Sequence, residues 1–263
     1  MTKYFHYLLI YFKYSFIRLL EYRFDFVTRF VTSILSAFLG FLSINFLYNN
    51  IPQIVGWNRA QLYLLTGTYN LVWGLFFGLF IHNLPQITKL VNRGELDLVL
   101  TKPINSQFLV SFRNRVEYSE ISVFLSGLFI FTYGLNQLNL HLSLWQVLLY
   151  SLLILNSVVL CYSLWLINMT TAFWFGRLHE LHEVFLSVFN INKYPTAIFS
   201  PVLRTIFTYF LPLAVLVFFP TQFLLNTLNP LFIGYSIFIS LFFLFLSTRF
   251  WHFALRHYSS ASS

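Results

Sequence analysis

Thirty-one consecutive residues, Trp145 to Phe175, carry no charge. A helix needs about 20 apolar residues to cross the ~30 Å hydrocarbon core of a bilayer. This stretch exceeds that length, so it tilts or projects beyond the bilayer. The remainder of the chain agrees. Of its 263 residues, 58% are hydrophobic and only 9% charged, whereas a soluble surface is about a quarter charged or more. Further apolar stretches of helix length make this an all-α polytopic membrane protein. The net charge of +8 then marks loops at an anionic membrane face rather than a nucleic-acid partner. Cys161 is the single cysteine and lies inside a span, so it says nothing of redox compartment.

Residues 1–29 precede the first span. Tyr7, Tyr11, Tyr14, Arg18, Glu21 and Asp25 recur at steps of four and three, a polar stripe on one helix face. Phe5, Leu9, Phe12, Phe16 and Leu20 fall roughly opposite. The pattern predicts an amphipathic helix lying in the interface, with Phe12 and Phe16 more sensitive to charge than Tyr11. A cleaved signal peptide does not fit, because residues 13–29 are charge-rich where small residues are needed.

Six spans are expected within residues 30–253: 30–48, 60–81, 116–135, 145–175, 203–219 and 231–247. Gly67, Gly74 and Gly78 mark the second as a close-packing helix, either within the subunit or against another copy. Pro212 is expected to kink or split the fifth. Residues 220–230 read as short helices or a re-entrant turn, and 254–263 as a tail. Leu178, Leu181, Phe185 and Val188 alternate with His179, Glu180, His182 and Glu183, which reads as a short interfacial helix. With the N-terminus inside, fifteen of the sixteen Lys and Arg residues are inside and only Arg59 outside. By the positive-inside rule both termini are cytoplasmic.

The longest polar interruption is His82 to Arg115. It holds Lys89, Arg93, Lys102, Arg113 and Arg115 with Glu95 and Asp97. At its far end, Arg113 and Glu117 stand at i,i+4 with Glu120 next, which predicts a salt bridge at the membrane mouth. No Gly is followed by Lys anywhere, so no P-loop and no ATP site of that kind exists. No nucleophile with an ordered base, metal-ligand set or cofactor site appears. His179-Glu180-Leu181-His182-Glu183 lacks the histidine spacing of a zinc protease helix. Ionisable residues avoid the middle of every expected span, where a proton- or sodium-driven carrier places acids. If the chain pumps anything, the energy comes from another polypeptide.

Two groups of residues then carry a resemblance. Arg93-Gly94-Glu95-Leu96-Asp97 and Lys102-Pro103-Ile104-Asn105 form one. Tyr194-Pro195, Ile198-Phe199, Leu203-Arg204, Leu211-Pro212-Leu213-Ala214 and Phe219-Pro220 form the other. With these the chain resembles the ABC-2 type transporter permeases, in the short six-span subgroup with this loop motif. The resemblance implies the membrane subunit of an ATP-driven exporter in a bacterial inner membrane. It implies pairing with a second copy or a homologous permease, each bound to a separate cytoplasmic ABC ATPase. It further implies that Arg93, Gly94, Glu95, Leu96, Asp97, Lys102 and Pro103, within the segment 82–115, seat on that ATPase. Gly94 suits a helix C-terminal turn that needs positive φ, and Lys102-Pro103 favours extended backbone. The alternative is a six-span channel or secondary carrier working without an ATPase. A membrane enzyme or assembly factor is disfavoured by the missing catalytic constellation.

The topology is tested by cysteine labelling in intact cells with an impermeant reagent. Cysteines at positions 58 and 139 should react from outside and one at position 92 should not; reaction at 92 reverses the orientation.

Overall fold

The computed structural model describes residues 2–49, 51–175 and 179–258, with only the backbone of Thr2 and of 179–181. Helices α1 (Thr2–Glu21), α2 (Arg23–Leu47) and α3 (Arg59–Phe80) lead into three short ones, α4 (Gln86–Asn92), α5 (Asp97–Leu100) and α6 (Ser106–Ser111). Helices α7 (Glu120–Gln137), α8 (Leu144–Thr170), α9 (Ala172–Phe175) and α10 (His179–Asn190) follow. Then come α11 (Pro201–Thr205), α12 (Phe218–Leu224) and α13 (Leu231–Arg256). Four stretches are long and apolar enough to cross a membrane: Arg23–Leu47, Arg59–Phe80, Leu144–Phe175 and Leu231–Arg256.

The antiparallel pair α3 and α7 forms the centre. A Cβ added at Gly67 would lie 2.7 Å from the Phe131 backbone, and one at Gly74 2.8 Å from the Phe124 nitrogen. Reciprocally, a Cβ at Gly127 would lie 2.8 Å from the Asn70 side chain and one at Gly134 3.1 Å from Leu64. The small residues of α3 therefore serve close approach within the subunit. Helix α8 lies along α3, where Thr68 Oγ1 and the Tyr150 hydroxyl are 2.8 Å apart. Helix α13 runs parallel to α8: Asn156 Nδ2 donates to the Ser236 carbonyl (3.1 Å), and Phe173 meets Trp251 further along. Trp251 Nε1 donates to Ser106 Oγ (3.1 Å), fixing the end of α13 against the short helices 86–111.

The first long helix begins at Arg23, seven residues before the expected Phe30. Nothing between Tyr22 and Phe30 breaks a helix, and Asp25 and Arg29 pair at i,i+4 (2.9 Å). Tyr22 provides the only joint between α1 and α2, at φ −103° and ψ 43°.

The fifth expected span, 203–219, is not one helix. Helix α10 covers the expected interfacial helix except for Leu178, which lies outside the described residues, and it packs against the bundle. It climbs beside α3 and α8, with Phe185 stacked on Trp165 (4.9 Å) and Phe189 against Trp73 and Tyr69. A 3-10 turn, Ile191–Lys193, then leads to Pro195, a second such turn and α11. One i→i+5 turn over Ile206–Phe210 brings Thr208 to Tyr235, whose hydroxyl donates to its carbonyl (2.7 Å). Tyr235 stands near the start of α13, at the end away from α4–α6. The run 179–210 is thus broken into short pieces, and residues 203–219 do not form one continuous helix. Pro212, at φ −70° and ψ 56°, stands where the helical turn has ended and reverses the chain, rather than kinking a span. The stretch 220–230 is the end of α12 and a turn. Pro195 and Pro201 divide the run into pieces too short to span a bilayer alone.

The α3–α7 contact yields a test. Gly74→Val should collapse folded yield and lower the melting temperature, since a branched side chain meets Phe124 backbone. Gly40→Val should be tolerated, because nothing lies within 4 Å of a Cβ there. Equal melting temperatures, measured in detergent, would remove the contact from its central place.

Candidate functional site

The segment between α3 and α7 folds as one small body at one end of the bundle. Helix α4 ends at Arg93, and Gly94 at φ +70° turns the chain. The Gly94 N–H donates to the Val91 carbonyl (3.3 Å) and the Leu96 N–H to that of Leu90 (3.1 Å). A side chain at Gly94 would strain this turn. Leu96 and Val99 are then wholly buried, while Leu98 is 63% and Leu100 41% exposed. The Lys102-to-Ile104 stretch is a tight bend, with the Ile104 N–H donating to the Lys102 carbonyl (2.8 Å). Asn105 caps α6, its Oδ1 accepting from the Phe108 N–H (3.1 Å). The Asn of the Lys-Pro-Ile-Asn run is thereby explained by helix capping.

Arg93, Leu98, Leu100, Thr101, Lys102 and Pro103 are exposed together on one ridge. Arg93 and Glu95 approach to 3.9 Å, both open to solvent. Exposed pairs of this kind contribute about 0–1 kcal/mol, so their charges remain available to a partner. Leu96 does not belong to that surface. It anchors the ridge from below, as Gly94 shapes it.

At the mouth of α7 the expected pairing is not formed. Residues 112–119 are not helical, so Arg113 and Glu117 have no i,i+4 register. Glu117 is held instead by Arg115 (3.5 Å), by the His82 ring and by the Ser119 hydroxyl. Its own N–H donates to the Gly78 carbonyl (2.8 Å). Burial alone would raise the Glu117 pKa, but the His82 and Ser119 hydrogen bonds and the Arg115 charge hold it at about 2. Glu120 accepts from Trp73 Nε1 (3.1 Å) and belongs to a different contact.

A further residue was invisible to motif reasoning. Asn83 is fully buried. Its Nδ2 donates to the Tyr11 hydroxyl (2.9 Å), the Leu79 carbonyl (2.7 Å) and the Arg115 carbonyl (3.1 Å), and its Oδ1 accepts from the Asn114 N–H (2.7 Å). One amide thus ties α1, α3 and the chain before α7 together. The only cue in the sequence is an amide beside His82 at the end of an apolar run.

Helix α1 braces the same body. Lys3 Nζ donates to the Pro103 carbonyl (2.9 Å) and the Tyr7 hydroxyl to that of Phe112 (3.0 Å). Ser15 Oγ accepts from the Val116 N–H (3.0 Å), and the Tyr118 hydroxyl donates to the Phe12 carbonyl (3.1 Å). Of the stripe, Tyr7 and Tyr11 therefore face protein, with Tyr11 only 5% exposed, whereas Tyr14, Arg18, Glu21 and Asp25 are open to solvent, as are Phe5, Leu9, Phe12, Phe16 and Leu20. The expectation that Tyr11 tolerates charge better than Phe12 is reversed. The covered residues of α1, Tyr7, Tyr11 and Ser15, are polar because their partners are polar loop groups.

Comparison with known sequences now adds its finding. A sequence model of the ABC-2 family transporter proteins matches residues 34–262. No curated protein and no solved structure matches the chain.

The hub is tested by Asn83→Leu. It leaves several buried groups without partners, each at about 1–3 kcal/mol, and should lower the melting temperature far more than Tyr11→Phe, which removes one hydroxyl. Comparable melting of the two variants would deny Asn83 this role.

Proposed function

We infer the function from one premise: the chain belongs to the ABC-2 family of transporter proteins. It is a membrane component of an ABC transporter and not its catalyst. Our finer reading is that it is the permease of an exporter in a bacterial inner membrane. It forms half of a pathway, pairs with a second copy or a homologous permease, and is driven by a separate cytoplasmic ATPase.

The observation that carries this reading is the ridge 93–103. Two large apolar side chains, Leu98 and Leu100, stand exposed between Arg93 and Lys102 on a base made rigid by Leu96, Val99 and α1. Exposed apolar groups rimmed by charge are what a protein partner covers. Orientation is supported by charge. Of the fifteen described Lys and Arg residues, twelve gather at the end bearing the ridge. Arg59 and Arg204 lie towards the other end, and Lys193 lies between. Pairing is supported by α2, of whose apolar window only 6% is buried within the subunit. Its remaining surface is left to lipid and to a second permease.

The docking reading is tested with Glu95→Lys together with Asp97→Lys, and separately with Leu98→Asp. A charge lost from a desolvated contact costs about 2–5 kcal/mol, so association with the ATPase should weaken by about tenfold or more. Membrane level and melting temperature should stay normal, as they should for the control Lys89→Ala. Unchanged co-purification and stimulated hydrolysis in both variants would reduce the ridge to a solvated linker.

A further inference from the structure

A cavity of about 360 Å³ lies where residues 196–209 meet α12 and the start of α13. It sits at the end of the bundle away from the ridge. Phe218 on its wall stands 5.8 Å from Trp57, ring centre to ring centre, in the connection between α2 and α3. Phe232, also on the wall, is the second residue of α13, whereas Trp251 near the far end of that helix meets Ser106. Between those two residues the helix rises about 28 Å, close to the thickness of a hydrocarbon core. The volume falls at the lower end of small-molecule sites, about 300–1,000 Å³.

The charge of the lining has one sign. Among the described residues it holds one charged side chain, Arg204, and no acid. Arg204 Nη2 donates to the carbonyls of Ala197 (3.1 Å) and Phe199 (3.5 Å), which steadies the guanidinium. Its other N–H groups remain open, and it makes no ion pair among the described residues. Two amides share the lining. Asn229 Oδ1 accepts from the Leu231 N–H (3.0 Å), so its Nδ2 is left to donate. Gln222 offers a donor and an acceptor. The hydroxyls behave oppositely. Thr205, Thr208 and Thr227 have given their protons to the carbonyls of Pro201 (3.0 Å), Arg204 (2.8 Å) and Gln222 (3.3 Å). Their oxygens can then only accept.

This mixture narrows the ligand. Arg204 opposes a cation. A simple anion satisfies the donors but brings almost no protons for three threonine oxygens. An apolar molecule takes water from both kinds of group and gives nothing back. A group that carries an acid and hydroxyls together matches both sets. Its carbon atoms then lie on Phe218 and Phe232, each half-buried in the wall. We propose that the cavity binds a phosphate ester that bears hydroxyl groups, of the glycerol phosphate or sugar phosphate kind. The phosphate pairs with Arg204 and the amides of Gln222 and Asn229, and the hydroxyls donate to the threonines. The same chemistry occurs in soluble esters and in the headgroup of phosphatidylglycerol. This site goes beyond the permease reading and needs no ATPase.

The test uses the full chain in nanodiscs of phosphatidylcholine, without any ATPase. Calorimetric titration compares α-glycerophosphate with propyl phosphate, which has the same charge and no hydroxyl. Saturable binding is expected, with α-glycerophosphate tighter by about tenfold or more. Arg204→Gln should weaken both esters about tenfold or more, and Arg204→Lys should keep most of the affinity. Thr205→Val should weaken α-glycerophosphate alone. Both residues are exposed, so all variants should melt alike. Two further discs contain equal parts of phosphatidylcholine and either phosphatidylglycerol or phosphatidylethanol, which is the same phosphodiester without hydroxyls. Loss of α-glycerophosphate binding in the phosphatidylglycerol disc alone assigns a lipid headgroup as the occupant; unchanged binding in both assigns a soluble ester. Loss in both discs, or equal affinity for the two soluble esters, would show a simple anion site and overturn the proposal. Insensitivity to Arg204→Gln overturns it as well. Should α-glycerophosphate not bind at all, native mass spectrometry decides: phosphatidylglycerol retained over phosphatidylethanol, and lost in Arg204→Gln, supports the site, and no preference overturns it.

Discussion

The close backbone contact between α3 and α7 is the constraint from which the rest follows. Within a bilayer, lipid tails are as apolar as leucine, so helices associate through packing and hydrogen bonds rather than through the hydrophobic effect. Glycines on both helices let the two backbones meet, and the meeting fixes where each helix ends. Those ends are the two attachment points of the 82–119 segment. Its position is thereby set by the bundle and not by its own short helices, which would be marginal alone. The Glu117 N–H bonded to the Gly78 carbonyl shows the same contact continuing into the segment.

From there a chain of polar contacts links the ridge to the bilayer surface. Asn83 joins the end of α3 to Tyr11 and to the strand of chain before α7. Helix α1 presents Tyr7, Tyr11 and Ser15 to this body and its phenylalanines outward. A push on Leu98 or Leu100 is borne by Leu96 and Val99, then by α4, α1 and the foot of α3. Such a body is stiff because its interior is packed and its buried polar groups are paired.

Much of this was legible in the sequence. The uncharged run 145–175 and the helices around Gly67 and Leu231 follow from length and composition. Gly94 announced its turn, because only glycine takes positive φ there without strain. Other parts depend on tertiary partners. The buried stripe of α1 is polar, so amphipathicity showed two faces but not which one is covered. The Arg113–Glu117 pairing presumed a helix that α6 and α7 do not share. Residues 179–210 are fragments divided by Pro195 and Pro201, and no window of spanning length covers them. Asn83 carried no motif at all.

The central claim is that the ridge 93–103 seats on a separate ATPase. It is tested most directly by photocrosslinking in native membranes, with benzoylphenylalanine in place of Leu98 and the captured protein identified by mass spectrometry. The account predicts a light-dependent adduct with a soluble protein that carries a P-loop, absent when the same group replaces Gly40 in α2. Adducts confined to lipid, or to the chain itself, at position 98 would contradict it.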